Sequence, residues 1–364
     1  MLYAFTIIAA FLTSLAFTIY LLPRIIRMAY KKKLFDFSDD RKIHKSPVPR
    51  LGGLVFIPSM IITISLLFGF GTMFLGNYMV QSFSMPKVSL AMCAFFIIYI
   101  VGVADDLVGV GYKRKFLTQF FCATLISFSG IWINSMQGFL GLDMLPTAVG
   151  VILTILLIVF IINAINLIDG IDGLSSGLAM ISFMELALCF AYIHRSAYVL
   201  MAAVCIATIL PFYYFNTRGT IENRRKVFMG DCGSLSLGLI LAFLAVRLGR
   251  YYPNDIIRIP NCLLVAASTV MLPCLDALRV MAVRVVHGKN PFEADKQHMH
   301  HLLLSLGLSH KGARMTMFAL SFALFALTVG LSWIGIDINI VLAADIVLWL
   351  SVMAVIYYRI RHLK

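Results

Sequence analysis

Residues 148–162 read AVGVILTILLIVFII, fifteen positions without a charge, and runs of this kind recur along the whole chain. A hydrocarbon core of ~30 Å needs roughly 20 apolar residues per crossing helix. Scanned on that basis, the sequence predicts spans near residues 2–22, 51–69, 88–104, 116–133, 148–166, 173–193, 197–215, 234–248, 260–285, 315–334 and 338–357, about eleven in all. The 61% hydrophobic content and 13% charged content, with a mean hydropathy of +0.93, exceed what a soluble domain of this size needs. The expected fold class is therefore an all-α polytopic integral membrane protein. With no internal repeat and no long linker, residues 1–364 are expected to form a single membrane-embedded domain. The first span lacks a basic leader and a small-residue cleavage site, so it reads as a retained helix.

Lys and Arg set the expected orientation. With the N-terminus outside and the C-terminus in the cytoplasm, all but five of the 30 basic residues fall on the cytoplasmic side. The exceptions are Lys87, Arg195, Arg247, Arg250 and Arg258, a strong bias under the positive-inside rule. The acids divide more evenly, so the formal net charge of +13 gathers on one face. Anionic lipid explains part of this, and an anionic, phosphate-bearing substrate is the second reading; nucleic acid is not among the expected partners. The seven cysteines form no CxxC pair and read as small apolar residues.

Five segments reach the expected cytoplasmic face, and they hold the unusual chemistry. The first ends in RKIHKSPVPRLGG, where prolines and glycines stiffen a basic loop suited to phosphate. In the second, Asp105 and Asp106 are adjacent carboxylates at the end of an apolar span. They repel unless a cation or proton sits between them, and they also oppose the helix dipole. The third is NAINLIDGIDGL, residues 163–174, whose Asn163, Asn166, Asp169 and Asp172 recur every three residues; several of them should share one face of a helix end. The last three offer hard oxygen donors, and Gly170 and Gly173 allow close approach.

The fourth segment places Asp231 between Gly230 and Gly233, downstream of Arg224, Arg225 and Lys226, as either an ordinary N-cap or a phosphate-plus-metal corner. The fifth carries His298, His300 and His301, whose spacing does not suit zinc and favours phosphate contact or proton handling. Deeper in the bundle, Asp276 and Arg279 follow Pro273, which should kink its span; the two form an ion pair or orient the loop after it.

Carboxylates in three loops, with glycines beside them and cations around them, suit Mg²⁺-dependent phosphoryl transfer, with Mn²⁺ as an alternative ion. Such a site at the membrane surface suits a lipid-borne phosphate. The rival from another class is a transporter or proton-coupled carrier using intramembrane acids such as Glu185 and Asp345, but transporters place substrates near the midplane of repeated halves. A lipid-binding scaffold leaves the repeated carboxylates unexplained.

RKIHKSPVPRLGG, GVADDL, NAINLIDGIDGL, VFMGDCGSLSLG and NPFEADKQHMHHLL, in this order, resemble the motifs of the polyprenyl-phosphate N-acetylhexosamine-1-phosphate transferases, the superfamily that includes MraY and WecA/TagO. The QHMHH form and eleven spans look like the WecA/TagO branch. The resemblance implies attack by undecaprenyl phosphate on the β-phosphate of a UDP-N-acetylhexosamine, with UDP-N-acetylglucosamine the default donor and UMP the leaving group. It further implies a bacterial cytoplasmic membrane location with the site facing the cytoplasm, and members of the family form homodimers. Carried over by position, Asp231 matches the magnesium-binding aspartate, with Asn166 sharing the metal. Asp105 and Asp106 match the acidic pair required for activity, in a positioning or general-base role. Asp169 and Asp172 match residues near the nucleotide and sugar. Phe228 matches an aromatic that stacks on uracil, with Lys45 and Asn216 bordering that pocket. His298, His300 and His301 match the loop that meets the diphosphate or sugar, and Lys113 and Lys115 match phosphate contacts.

Overall fold

A computed structural model describes residues 2–34, 48–75, 85–253, 255–290 and 297–362. In chain order the helices are α1 (Leu2–Lys32), α2 (Phe56–Leu75), α3 (Met85–Val108), α4 (Tyr112–Phe128), α5 (Thr147–Leu167), α6 (Leu174–Tyr192), α7 (Ser196–Arg218), α8 (Gly230–Gly249), α9 (Cys262–Ser268), α10 (Met271–Val286), α11 (Met299–Ser305), α12 (His310–Trp333) and α13 (Ile338–His362). They are joined by turns and by an isolated antiparallel bridge between Ser135 and Met144. The chain is an all-α integral membrane protein.

Each of the eleven expected spans falls on a helix. Eight of the described helices (α1, α3, α5, α6, α7, α8, α12 and α13) are long and apolar enough to cross a membrane, and α9 with α10 makes a ninth if the bent pair is one span. The apolar stretch Gly52–Leu67 and α4 are shorter. α4 has 17 residues, its first turn being given over to Lys113, Arg114 and Lys115. Leu117, Phe121 and Phe128 on it are nonetheless exposed apolar side chains, as a lipid-facing surface requires.

α8 forms the axis of the bundle. Every residue from Cys232 to Val246 is buried, and a helix apolar on all sides belongs inside. It packs against α3, α5, α6 and α9, and Gly233, Ser234, Ser236 and Gly238 keep its first half narrow enough for close approach. The outer helices show the opposite pattern. Phe5, Ile8, Leu12 and Ile19 on α1 are exposed at helical spacing, as are Ile340, Val347 and Leu350 on α13.

The span expected over 260–285 is broken rather than kinked at Pro273: α9 and α10 meet at 74° across residues 269–270. Pro273 lies in the first turn of α10, where its missing N–H would have had no helical partner anyway, so the bend precedes it. The Thr269 carbonyl freed by the break accepts a hydrogen bond from Ser182 Oγ of α6 at 2.5 Å. Ser268 and Thr269 hydroxyls donate to the carbonyls of Val265 and Ala266.

Because the helices alternate in direction, residues 48–53, 105–115, 166–173, 216–230, 287–290 and 297–310 collect at one end of the bundle. Residues 129–147, 193–196, 250–253, 255–261 and 334–338 collect at the other.

Candidate active site

The centre of the first end is the junction of α3 with α8. α8 begins with no side-chain cap of its own; Asp106 supplies one from α3. Its Oδ1 accepts from the Asp231 amide at 2.7 Å and its Oδ2 from the Cys232 amide at 2.9 Å. A carboxylate on exposed helix-start amides is favoured by both hydrogen bonding and the helix dipole. Gly230 makes the approach possible. Its φ is +75°, and a Cβ there would collide with the Arg50 carbonyl and the Asp106 carboxylate. Asp231 is therefore not the N-cap of its own helix; it stands in the first turn, and its carboxylate meets Lys115 and Asn166.

Asp105 turns away from Asp106. It accepts from the Val110 amide at 2.6 Å and from Lys115 Nζ at 3.0 Å. The cation expected between the two adjacent acids is not there, because successive helical side chains diverge. It sits instead between Asp105 and Asp231, where Lys115 Nζ is also 2.8 Å from Asp231 Oδ2. On the other side, Asn166 Nδ2 donates to Asp231 Oδ1 at 2.9 Å and to Ser234 Oγ at 2.8 Å; this amide orientation is assigned from the hydrogen-bond network. Three carboxylates thus face one ammonium and one helix N-terminus, a surplus of negative charge. Asp169, exposed at the rim, lies within electrostatic reach of Asp231, Asp172, Asp106 and Arg50.

NAINLIDGIDGL divides at the end of α5. Asn163 and Asn166 are helical, while Asp169 and Asp172 lie beyond the last turn. Asn163 does not reach the cleft; it exchanges hydrogen bonds with Gln119 of α4. Asp172 pairs with Lys226 Nζ at 2.5 Å, and Arg314 of α12 donates to its main-chain carbonyl at 2.7 Å. Asn216 is buried. It accepts from the Gly173 amide at 2.6 Å and donates to the Val227 carbonyl at 2.8 Å, so it ties this loop to the segment before α8. Phe228, half-buried, is held by main-chain bonds to Pro49 and Gly52, which bring the end of the basic loop against Gly230 and Asp231.

The histidine loop is anchored by Asp276. Its carboxylate accepts from His298 Nδ1 at 2.8 Å, from the Met299 amide at 3.0 Å and from Arg279 at 2.8 Å. Arg279 also donates to the Gln297 carbonyl. Both sequence readings of the Asp276–Arg279 pair hold: it is an ion pair, and it orients the loop. His300 is only 1% exposed and packs on Gly170, where a Cβ would overlap its ring. Burial, reinforced by His301 and His298, pushes its pKa down to about 3, so the ring is neutral near pH 7. Among the described residues neither of its ring nitrogens has a hydrogen-bond partner. Its ring stacks parallel to His298 at 5.9 Å and tilts against His301 at 4.2 Å.

The first end therefore brings together Asp105, Asp106, Lys115, Asn166, Asp169, Asp172, Asn216, Phe228, Asp231 and the histidines. Lys113 is exposed at the start of α4 and makes no ion pair among the described residues. Lys45 lies outside the described residues. Glu185 of α6 and Asp345 of α13 are buried apart from the cleft, and Asp345 accepts from Thr328 at 2.7 Å. Sequence reasoning missed Arg314. It is the fifth residue of α12, and its partner, the Asp172 carbonyl, lies 142 residues away in sequence, so no local signal marked it.

Residues 88–249 match the model of a family described as glycosyl transferase family 4. A probable undecaprenyl-phosphate N-acetylglucosaminyl 1-phosphate transferase of Bacillus subtilis (strain 168) is 28% identical over 87% of this chain and 82% of its own length. A decaprenyl-phosphate N-acetylglucosaminephosphotransferase of Mycobacterium tuberculosis (strain ATCC 25618 / H37Rv) is 28% identical over 76% and 70%. An undecaprenyl-phosphate alpha-N-acetylglucosaminyl 1-phosphate transferase of Escherichia coli O157:H7 is 26% identical over 82% and 77%.

Proposed function

We propose, for a chain whose residues 88–249 match the glycosyl transferase family 4 model, that it transfers N-acetylglucosamine 1-phosphate from UDP-N-acetylglucosamine to undecaprenyl phosphate in the bacterial cytoplasmic membrane, at a site facing the cytoplasm. The observation that carries this reading is the set of carboxylates from α3 and α8 around one cation position, Asp105 and Asp231 sharing Lys115.

A surplus of negative charge repels a diphosphate unless a divalent ion accompanies it. The donor set fits Mg²⁺: Asp231 and, with its amide turned, the oxygen of Asn166 would hold it. The described residues form no group of three or more His, Cys, Asp or Glu around one point, which suits an ion that keeps waters and takes substrate oxygens. When bound, the ion would neutralise charge on the diphosphate.

The acceptor phosphate has a second pKa of about 6, so near neutrality it attacks largely as a dianion and needs little help from a base. Its oxygen bonds to the β-phosphorus; the bond from that phosphorus to the bridging oxygen breaks, and UMP leaves with that oxygen. Asp105 fixes Lys115, whose ammonium offsets charge on the transferring phosphoryl group. Asp106 holds the start of α8, and with it Asp231, in place. Asp172 with Lys226, and Phe228, border the nucleotide. The histidine loop, held by Asp276, meets the diphosphate or sugar, and a neutral His300 donates or accepts without adding charge. An apolar crevice of about 140 Å³ beside the α9–α10 break, walled by Leu157, Phe160, Ile161, Met271 and Leu275, offers a path for the prenyl chain.

The test is UMP release by detergent-purified protein given undecaprenyl phosphate, Mg²⁺ and a panel of UDP-sugars. Release with UDP-N-acetylglucosamine, abolished by chelator and by Asp231→Ala, supports the reading. Folded protein that releases no UMP from any donor overturns it.

A further inference from the structure

We propose that the far end of the bundle carries a binding pocket for a phosphate group, separate from the transfer site. A cavity of about 510 Å³ opens there, between the end of α8, residues 250–252 and 255–261 and the turn around the Ser135–Met144 bridge. Of the five basic residues on that side of the sequence reading, Arg247, Arg250 and Arg258 line this cavity, and Arg195 pairs at its edge with Asp255, also a lining residue.

Arg247 and Arg250 lie one helical turn apart, near enough to repel. Among the described residues neither pairs with a carboxylate. Arg247 donates through Nε to the Tyr198 hydroxyl at 2.7 Å and stacks over Tyr198 and Tyr252, 4.9 and 4.5 Å from the ring centres; among the described residues its two terminal nitrogens make no hydrogen bond. Arg250 stacks over Trp132 and Tyr252 and donates to the carbonyls of Gly130 and Trp132, while its Nε is buried without an acceptor among the described residues. Of the two carboxylates lining the cavity, Asp255 is taken by Arg195, and Asp143 is exposed and pairs with none of the arginines.

A helix C-terminus favours one cation. That does not account for two like charges held side by side by aromatic faces, with unused donors and a cavity beside them. Planar guanidinium forks match phosphate oxygens bidentately, and stacking leaves their edges free to donate. The flanks indicate where the phosphate comes from. Tyr251 and Tyr252 sit beside Ile256, which is 99% exposed, and exposed Ile257. Aromatic and aliphatic side chains together on a loop at a helix end mark a membrane interface. The pocket is therefore placed to take the phosphate of an anionic lipid headgroup from the adjacent leaflet, with free phosphate as the other source of the same chemistry.

The experiment measures binding by the full-length protein in neutral detergent, so it is independent of any transfer activity. Phosphatidylglycerol in mixed micelles and inorganic phosphate are titrated separately, with melting temperature and native mass spectrometry as readouts. Saturable binding is expected, weakened by about tenfold or more in Arg247→Gln and partly restored in Arg247→Lys. Arg250→Gln is a second variant; because it also loses the Gly130 and Trp132 carbonyl contacts, its melting temperature without probe is checked first. Saturation by phosphatidylglycerol alone identifies a headgroup, and saturation by inorganic phosphate identifies a soluble source. No saturable binding by the wild type, or equal binding by a folded Arg247→Gln protein, overturns the proposal.

Discussion

Lys115 and Arg247 are both cations at helix ends, yet Lys115 holds two carboxylates, Asp105 and Asp231, whereas Arg247, among the described residues, holds the Tyr198 hydroxyl and two aromatic faces. Lys115 lies in the first turn of α4, against the helix dipole, and is kept there by acids. Arg247 lies in the last turn of α8, where the dipole favours it. The first end balances much of its charge internally: Lys226 answers Asp172 and Arg279 answers Asp276. A ligand binding there must exchange with partners already in place. At the far end, binding adds a partner that the protein lacks.

The largest effect expected from breaking this contrast is at Asp231. Replacing it with Ala removes the acid nearest to Lys115 and Asn166, and UMP release should fall by about 10³-fold or more. Asp106→Ala leaves the Asp231 and Cys232 amides without their acceptor, at about 1–3 kcal/mol each. The melting temperature should drop by several degrees, and a retained melting temperature would show that α8 does not depend on the cap. Lys115→Met sharpens the comparison. If the ammonium competes with a metal for the same place, the maximal rate falls while half-saturation moves to a Mg²⁺ concentration lower by about fivefold, roughly 1 kcal/mol; an unchanged Mg²⁺ titration would mean exchange is not how this end works.

Acidification should act through His300. Its ring binds a proton below about pH 3 when folded and below about pH 6.5 when unfolded. Between those values only the unfolded state is protonated, so stability is full above about pH 6.5 and declines by up to about 1.4 kcal/mol per unit as pH falls toward 3. His300→Gln should flatten melting temperature measured between pH 7.5 and 5.5. The smallest effect is expected at the far end's ion pair: Asp255→Asn, whose partner Arg195 is 38% exposed, should change stability by under about 1 kcal/mol.

Much of this architecture is legible in the sequence because long apolar runs determine helices locally, and each expected span but 260–285, which divides into α9 and α10, became one. The five polar segments also converge as their alternation along the chain requires. Other features depend on partners distant in sequence. Asp106 caps a helix through an amide 125 residues later, so adjacency to Asp105 suggested a pair where the structure has two separate contacts. Asn163 fits the three-residue rhythm of its neighbours, but Gln119 claims it. Pro273 marks the broken span yet not the break itself, since proline in a first turn is compatible with the helix that follows.

The α9–α10 break also bears on how the protein assembles. Irregular backbone at membrane depth is tolerated only where protein, rather than lipid, satisfies it. The Thr269 carbonyl depends on Ser182 of α6, a helix synthesised well before α9. A nascent chain that reached residue 269 without α6 already seated would expose a bare carbonyl to hydrocarbon, so the order of translation supplies the acceptor's donor in advance. Ser182→Ala removes that donor, and the share of chains that insert residues 262–286, read by protease protection, should fall.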